Sequence, residues 1–306
     1  MNNDTMIENV INVNGVDIAY QLHGNPLHPT LLLIHGLSTP LTGWPNSMIA
    51  RFVAAGYQVL LLDNRDMGRS EQLNHLPVPN LLWVVLKSKL GLSVKVPYKL
   101  EDMMQDVVVL LDALNVAEVH VVGASMGGMI AQLLAIHHPQ RVKTLTSIMS
   151  TTGYKKLPPV NKGIREVLAQ TPASKDYEDQ MQYHIKKCQV IGSPDYPTAD
   201  GDLYQYVDGM LQRGISAKGT MRQLLAIIAA DNRESALTKL DIPSLIIHGD
   251  SDGLVNLAGG RATAEAIPNA KLKIYSGMGH DFPIALIPNI VDDIVAHVNT
   301  NLGDKT

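Results

Sequence analysis

The chain has 306 residues, 45% of them hydrophobic and 18% charged, with a formal net charge of −4. This length fits one large α/β domain carrying an insertion, or two small domains, and the composition excludes a fibrous or disordered chain. Basic residues occur as scattered pairs such as Lys155-Lys156 and Lys186-Lys187, so nucleic acid is not an expected partner.

The opening MNNDTMIENV is polar and acidic, without the basic flank and apolar stretch of a signal peptide, and a cytoplasmic location is expected. No apolar run approaches the ~18 residues of a membrane span, so no transmembrane segment is expected. VINVNGVDIAYQLHG reads as a hairpin turning at Asn14-Gly15. Short apolar runs follow, each closed by Gly, Asp or Ser: LLLIHG, YQVLLLD, VHVVGAS, VKTLTSIMS, SLIIHGD and KLKIYSG. Helical patterns stand between most of them. Leu100 to Val116 carries acids in its first turn, Met129 to His138 stops at Pro139, and PNIVDDIVAHVNTNLG lies near the C-terminal end. Continuous apolar strands alternating with helices predict a mostly parallel sheet covered on both faces and opened by an antiparallel hairpin.

Two stretches break the pattern. Residues 72–97 interrupt a strand-to-helix connection, and residues 152–238 hold helical, polar and Tyr-rich pieces but no clear strand. A loop that long has structure of its own. The expected division is a core of residues 1–151 and 239–306, with 152–238 as a helical cap over the strand ends and 72–97 as a shorter lid. Within the lid, LLWVVL reads as a helix burying its apolar face, in preference to a membrane-surface anchor. Cys188 is the only cysteine, which forbids an intrachain disulfide and reads as a structural thiol.

Gly123-x-Ser125-x-Gly127 matches a nucleophile elbow, in which a strained strand-to-helix turn projects a serine hydroxyl above a sheet. The five-residue pattern alone arises by chance roughly once in ten such chains. Its setting adds weight, because VHVV precedes it as a strand and MIAQLLAIHH follows as a helix. A hydroxyl is a poor nucleophile without a base, and in this arrangement the partners follow in the order serine, acid, histidine. Four of the eleven histidines lie far enough downstream: His184, His248, His280 and His297. His297 sits on the terminal helix and reads as packing or surface. His248 precedes the acid candidates. His280, on the Gly-rich loop after KLKIYSG, is the expected base.

The loop HGDSDGLV offers two acids, Asp250 and Asp252. Asp252 is preferred as the group that holds the imidazole, because the first residue past a strand more often caps the turn. The oxyanion needs two backbone donors. Met126 N–H, next to the serine, is one candidate; Leu37 N–H, in LLLIHGLSTP, is the other, with Gly36 allowing the turn. His35 is read either as ordering this loop or as packed.

Taken together, HGL at 35–37, DNRDMGRS at 63–70, GASMGG at 123–128, HGDSDGLV at 248–255 and GMGHD at 277–281 resemble the α/β-hydrolase fold superfamily. From GWP at 43–45 through NRDMGRS the chain looks most like the carboxylesterase branch that includes aclacinomycin methylesterase. The likeness spans about residues 16–150 and 240–300 and is weak across 152–238. It implies the triad Ser125, Asp252 and His280, with no cofactor and no metal. Two departures stand out: many relatives carry glycine where Asp66 stands, and the inserted NLLWVVLKSKLG is longer than the minimal fold needs.

The leading expectation is a serine hydrolase cleaving a small-molecule carboxylic ester through an acyl-enzyme. The serine excludes the dehalogenase and epoxide-hydrolase branches, which need aspartate there. A proline-iminopeptidase-like peptidase, a perhydrolase or a carbon-carbon hydrolase would use the same triad. A peptidase would want an acidic cluster for a free amine, which Asp176, Glu178 and Asp179 could supply, although a solvated helix face is the preferred reading. A reading of another class is a non-catalytic, hydrolase-like ligand receptor.

Overall fold

Eight strands among the described residues form one sheet in the order β1-β2-β4-β3-β5-β6-β7-β8. They are β1 (Ile7–Val13), β2 (Val16–His23), β3 (Thr30–Ile34), β4 (Gln58–Leu62), β5 (Val119–Ala124), β6 (Val142–Ile148), β7 (Ser244–Gly249) and β8 (Lys271–Tyr275). The structure, a computed structural model, describes residues 6–154 and 156–300; the first five residues of the polar N-terminal stretch, Lys155 of the first lysine pair and residues 301–306 lie outside these. β1 and β2 pair antiparallel through a tight turn at Asn14 and Gly15, both with positive φ (52° and 77°), as a two-residue hairpin requires. β2 is antiparallel to β4, and every other pairing is parallel.

The central strands are apolar at successive positions because helices cover both faces. Helices α3 (Leu100–Ala113) and α4 (Met126–His137) meet Leu32, Ile34, Val119 and Val121. On the opposite face α1 (Asn46–Ala54) and α11 (Ile287–Thr300) meet Leu31, Leu33, Leu61 and Val122. Alternate residues of one strand thus feed two separate cores, which is why a period-two pattern is missing from the sequence.

Two helix bounds differ from expectation. α3 ends at Ala113, short of Val116, because Asn115 turns the chain at φ 55°. Val116 N then donates to Leu111 O and Asn115 N to Asp112 O, the paired bonds that close a helix in a left-handed cap. α4 begins at Met126 rather than Met129, directly after Ser125.

In residues 72–97 the helix α2 (Leu81–Lys89) forms, with the Asn80 side chain accepting from Trp83 N. The expected burial of its apolar face is only partial. Val84 and Ser88 are buried, while Leu82, Trp83 and Leu86 are exposed. LLWVVL is apolar all round, so seating one i, i+4 edge leaves the rest uncovered.

Among the described residues between β6 and β7 lie five helices: α5 (Lys162–Leu168), α6 (Tyr177–Ile191), α7 (Asp200–Arg213), α8 (Ala217–Ala229) and α9 (Glu234–Leu237). Met181, Leu203, Val207 and Met210 give α6 and α7 a small core of their own. Asp176, Glu178 and Asp179 lie at the start of α6, where acids favour the helix dipole. α10 (Leu257–Ala266) follows β7. Among the described residues no helix is long and apolar enough to cross a membrane.

Candidate active site

The end of β5 turns into α4 at Ser125, whose φ of 54° and ψ of −119° lie outside the usual regions for a side-chain-bearing residue. The flanking glycines make this possible. A Cβ at Gly123 would stand 2.2 Å from Gly127 O, and one at Gly127 would stand 2.0 Å from Ile34 O. Ser125 N donates to Ile148 O at 2.9 Å, and Ser150 Oγ donates to Ser125 O at 2.7 Å, so the turn is held from β6 as well.

The structure brings the three expected site residues together. His280 Nε2 lies 3.0 Å from Ser125 Oγ, and His280 Nδ1 lies 2.7 Å from Asp252 Oδ2. With Nδ1–H directed at the carboxylate, Nε2 is left to accept from the serine hydroxyl. Asp252 is buried, and its Oδ1 accepts from Leu254 N (2.9 Å) and Val255 N (2.8 Å). Burial alone would raise its carboxyl; the His280 charge and hydrogen bonds from His248 and His280 override this and hold it well below the usual carboxylate range. His280 N donates to Ile191 O at 2.7 Å, so the residue is also tied to the end of α6.

Asp250, the other acid of the loop, is spent elsewhere. It is exposed, and its Oδ1 accepts from Gly277 N at 2.7 Å, linking the β7 loop to the β8 loop.

His248, which chain order sets aside as a base, does not meet Ser125 Oγ, yet it touches the site. Its Nε2 donates to Val255 O at 2.7 Å and lies 3.4 Å from Asp252 Oδ2, so the acid sits between two imidazoles. Its position four residues before Asp252 was the available signal.

The loop after β3 runs beside the serine: a Cβ at Gly36 would stand 3.0 Å from Ser125 Cβ. Among the described residues the amides of Leu37 and Met126 donate to no protein acceptor, although Met126 is fully buried. Buried amides are nearly always paired, so these two are open to a ligand atom. His35 both orders and packs this loop. Its Nδ1 accepts from Gly36 N at 2.7 Å, and its ring meets Trp44 at 5.0 Å and Phe282 at 6.2 Å. Burial lowers His35 to about 3, which keeps it neutral.

A set of buried ion pairs that sequence reasoning did not find fixes the 63–70 loop. Asp63 accepts from Leu41 N (2.7 Å), Arg69 N (2.9 Å) and Arg213 Nε (2.8 Å). Asp66 takes both arms of Arg222 at 2.7 and 2.5 Å and accepts from Tyr98 Oη and Leu73 N, each at 2.8 Å. Gln223 reaches Ser38 N (3.0 Å) and Arg65 O (2.9 Å). Asp66 has a φ of 68°, a conformation that favours glycine. Here the carboxylate compensates by binding α8 and the 72–97 segment to the strand end. Among the described residues no group of three or more His, Cys, Asp or Glu side chains is arranged to hold a metal ion.

The fold and this arrangement place the chain in a known class: it belongs to the alpha/beta hydrolase fold family, whose model matches residues 29–197. It is 27% identical to the rhodomycin D methylesterase of Streptomyces sp. (strain C5) over 297 residues, covering 90% of this chain and 92% of that protein. It is 28% identical to a 2-hydroxy-6-oxononadienedioate/2-hydroxy-6-oxononatrienedioate hydrolase of Cupriavidus pinatubonensis over 283 residues, 88% of each chain. Among solved structures, the esterase RhEst1 of Rhodococcus sp. ECU1013 superposes with a TM-score of 0.73 at 22% identity, covering 96% of this chain and 98% of that one.

Proposed function

We propose that this protein hydrolyses a carboxylic ester of a small molecule through an acyl-enzyme on Ser125. The observation that carries the reading is the continuous line from Asp252 Oδ2 to His280 to Ser125 Oγ at 2.7 and 3.0 Å. In this reading Ser125 Oγ attacks the ester carbonyl carbon while His280 Nε2 takes its proton. The carbonyl oxygen becomes an oxyanion accepting from the open amides of Leu37 and Met126. Asp252 keeps the imidazole in the tautomer that accepts at Nε2 and stabilises the imidazolium. His280 then returns the proton to the departing alkoxide, the alcohol leaves, and water repeats the sequence on the acyl-serine to release the acid. Residues 152–238 act as the cap of a core formed by 1–151 and 239–306.

A carbon-carbon hydrolase is the second reading, favoured by the match to the oxononadienedioate hydrolases. Those names denote dicarboxylates, which a free buried guanidinium would recognise. Here three of the four buried arginines among the described residues, Arg65, Arg213 and Arg222, are each already paired with an aspartate. The fourth, Arg233, donates to Gln132 Oε1, Asp231 O and Thr151 O; guanidinium groups already engaged within the protein favour the uncharged ester.

The test is hydrolysis of p-nitrophenyl and methyl esters by wild type and Ser125→Ala, alongside a dienedioate substrate. The proposal expects ester turnover that falls by on the order of 10⁶ in the variant. Turnover of the dienedioate alone, or esterase activity that survives in Ser125→Ala, overturns it.

A further inference from the structure

We propose that α2 and the turn after it, residues 81–95, form a docking surface for an anionic lipid bilayer. Leu82 is 79% exposed, Trp83 65% and Leu90 65%, and Leu86 and Leu92 are also exposed. Such a cluster on one short segment marks a surface that meets something apolar.

Charge identifies what that is. Between Glu71 and Glu101 the chain has no acidic residue, yet it carries Lys87, Lys89, Lys95 and Lys99, in a protein whose net charge is −4. Lys87 and Lys95 are exposed among the apolar side chains. A helix with leucines and a tryptophan projecting and lysines alongside lies in the interface of a negatively charged membrane: the apolar tips enter the acyl boundary and the ammonium groups pair with phosphates. A second copy of the chain is a poorer occupant, since a symmetric contact would bring these lysines against one another.

The surface is also well placed. It follows β4 and lies at the strand-end side of the sheet, as Ser125 does. It is anchored through Ser88 Oγ, which donates to Ile228 O of α8 at 3.2 Å. α8 supplies Arg222 and Gln223, which grip the loops around the serine. Docking would therefore set the mouth of the site toward lipid, where water-insoluble molecules are concentrated.

The test requires no turnover, so it stands apart from the ester reading. Unilamellar vesicles of phosphatidylcholine, with or without phosphatidylglycerol as roughly a third of the lipid, are floated with the full chain at low and high salt. The chain has two tryptophans and Trp44 is buried, so a blue shift in emission reports Trp83. Expected are flotation with the phosphatidylglycerol vesicles, its loss at high salt, and the blue shift. Leu82→Ser/Leu86→Ser should weaken binding about tenfold through lost apolar insertion. Lys87→Glu/Lys95→Glu should weaken it by at least about tenfold through lost attraction. Thermal melts of both variants establish that they fold, and because the pairs act by different physics, loss of one to misfolding leaves the other decisive. Failure to float, equal flotation with phosphatidylcholine alone, or unchanged binding in a folded variant overturns the proposal. A lipid-independent dimer in sedimentation velocity that Leu82→Ser/Leu86→Ser abolishes also overturns it, and assigns the face to a second copy.

Discussion

Ser125 is half-buried and held in an unfavourable conformation. Its positive φ costs a non-glycine residue on the order of 1–3 kcal/mol. Ser125→Gly should accordingly melt at a higher temperature than wild type while losing turnover, and a lower melting temperature would contradict the strain argument. The two acids of the β7 loop divide as sharply. Asp252→Asn keeps the shape but favours the wrong imidazole tautomer, so turnover of a fast aryl ester should fall roughly 10⁴-fold. Asp250→Asn keeps an oxygen that can accept from Gly277 N and removes only the charge from that loop bond, so its stability should change by about 1 kcal/mol at most and its turnover little. Kinetics and melts of both variants check this, and a crippled Asp250→Asn beside an active Asp252→Asn would reverse the assignment. The preference for Asp252 was available in the sequence because turn-capping belongs to the first residue beyond a strand. The second imidazole on that acid, His248, was signalled only by its place four residues before Asp252, and chain order, which selects the base, does not register such a contact.

Among the elements, all eight strands were legible: the Asn14-Gly15 turn marks the hairpin of β1 and β2, and short apolar runs closed by Gly, Asp or Ser mark the six strands that pair parallel. The start of α4 was missed by three residues, since its first turn is Met-Gly-Gly and carries no helical pattern. The exposed face of α2 was missed for another reason: an apolar sequence reports that a helix can bury its surface, not that a partner covers it. Least legible was the attachment of α8 to the strand-end loop, because Asp66 and Arg222 are 156 positions apart and belong to no motif. Arg222→Met should leave the Asp66 carboxylate buried and unpaired, lowering stability by about 3–5 kcal/mol. Adding Asp66→Gly should recover much of that loss, by removing the orphaned charge and relaxing a φ of 68°. Urea denaturation of the single and double variants measures the cycle, and additive losses would show that the pair is not the link between α8 and the loop.

For the whole molecule, buried histidines set the response to acid. Burial lowers His35 to about 3 and His120, His184 and His297 each to about 4. These folded values lie below the ~6.5 of an unfolded histidine, so at intermediate pH the unfolded chain binds more protons. Stability is therefore fully present above about pH 6.5 and is lost as the pH falls toward the folded values, by about 1 kcal/mol per pH unit for each histidine. Asp63, Asp106 and Asp281, whose carboxyls burial raises, act in the opposite sense and offset part of the loss. Urea midpoints at about pH 7.5 and about pH 5.5 should differ, with the lower pH less stable. A midpoint that rises on acidification would mean that the carboxyls dominate. The reading of the molecule as a serine hydrolase is tested most directly by fluorophosphonate labelling, read by intact mass and peptide mapping. One adduct per chain is expected, on Ser125, absent from Ser125→Ala and formed far more slowly in Asp252→Asn. A chain that takes no adduct, or takes it on another serine, would contradict the account.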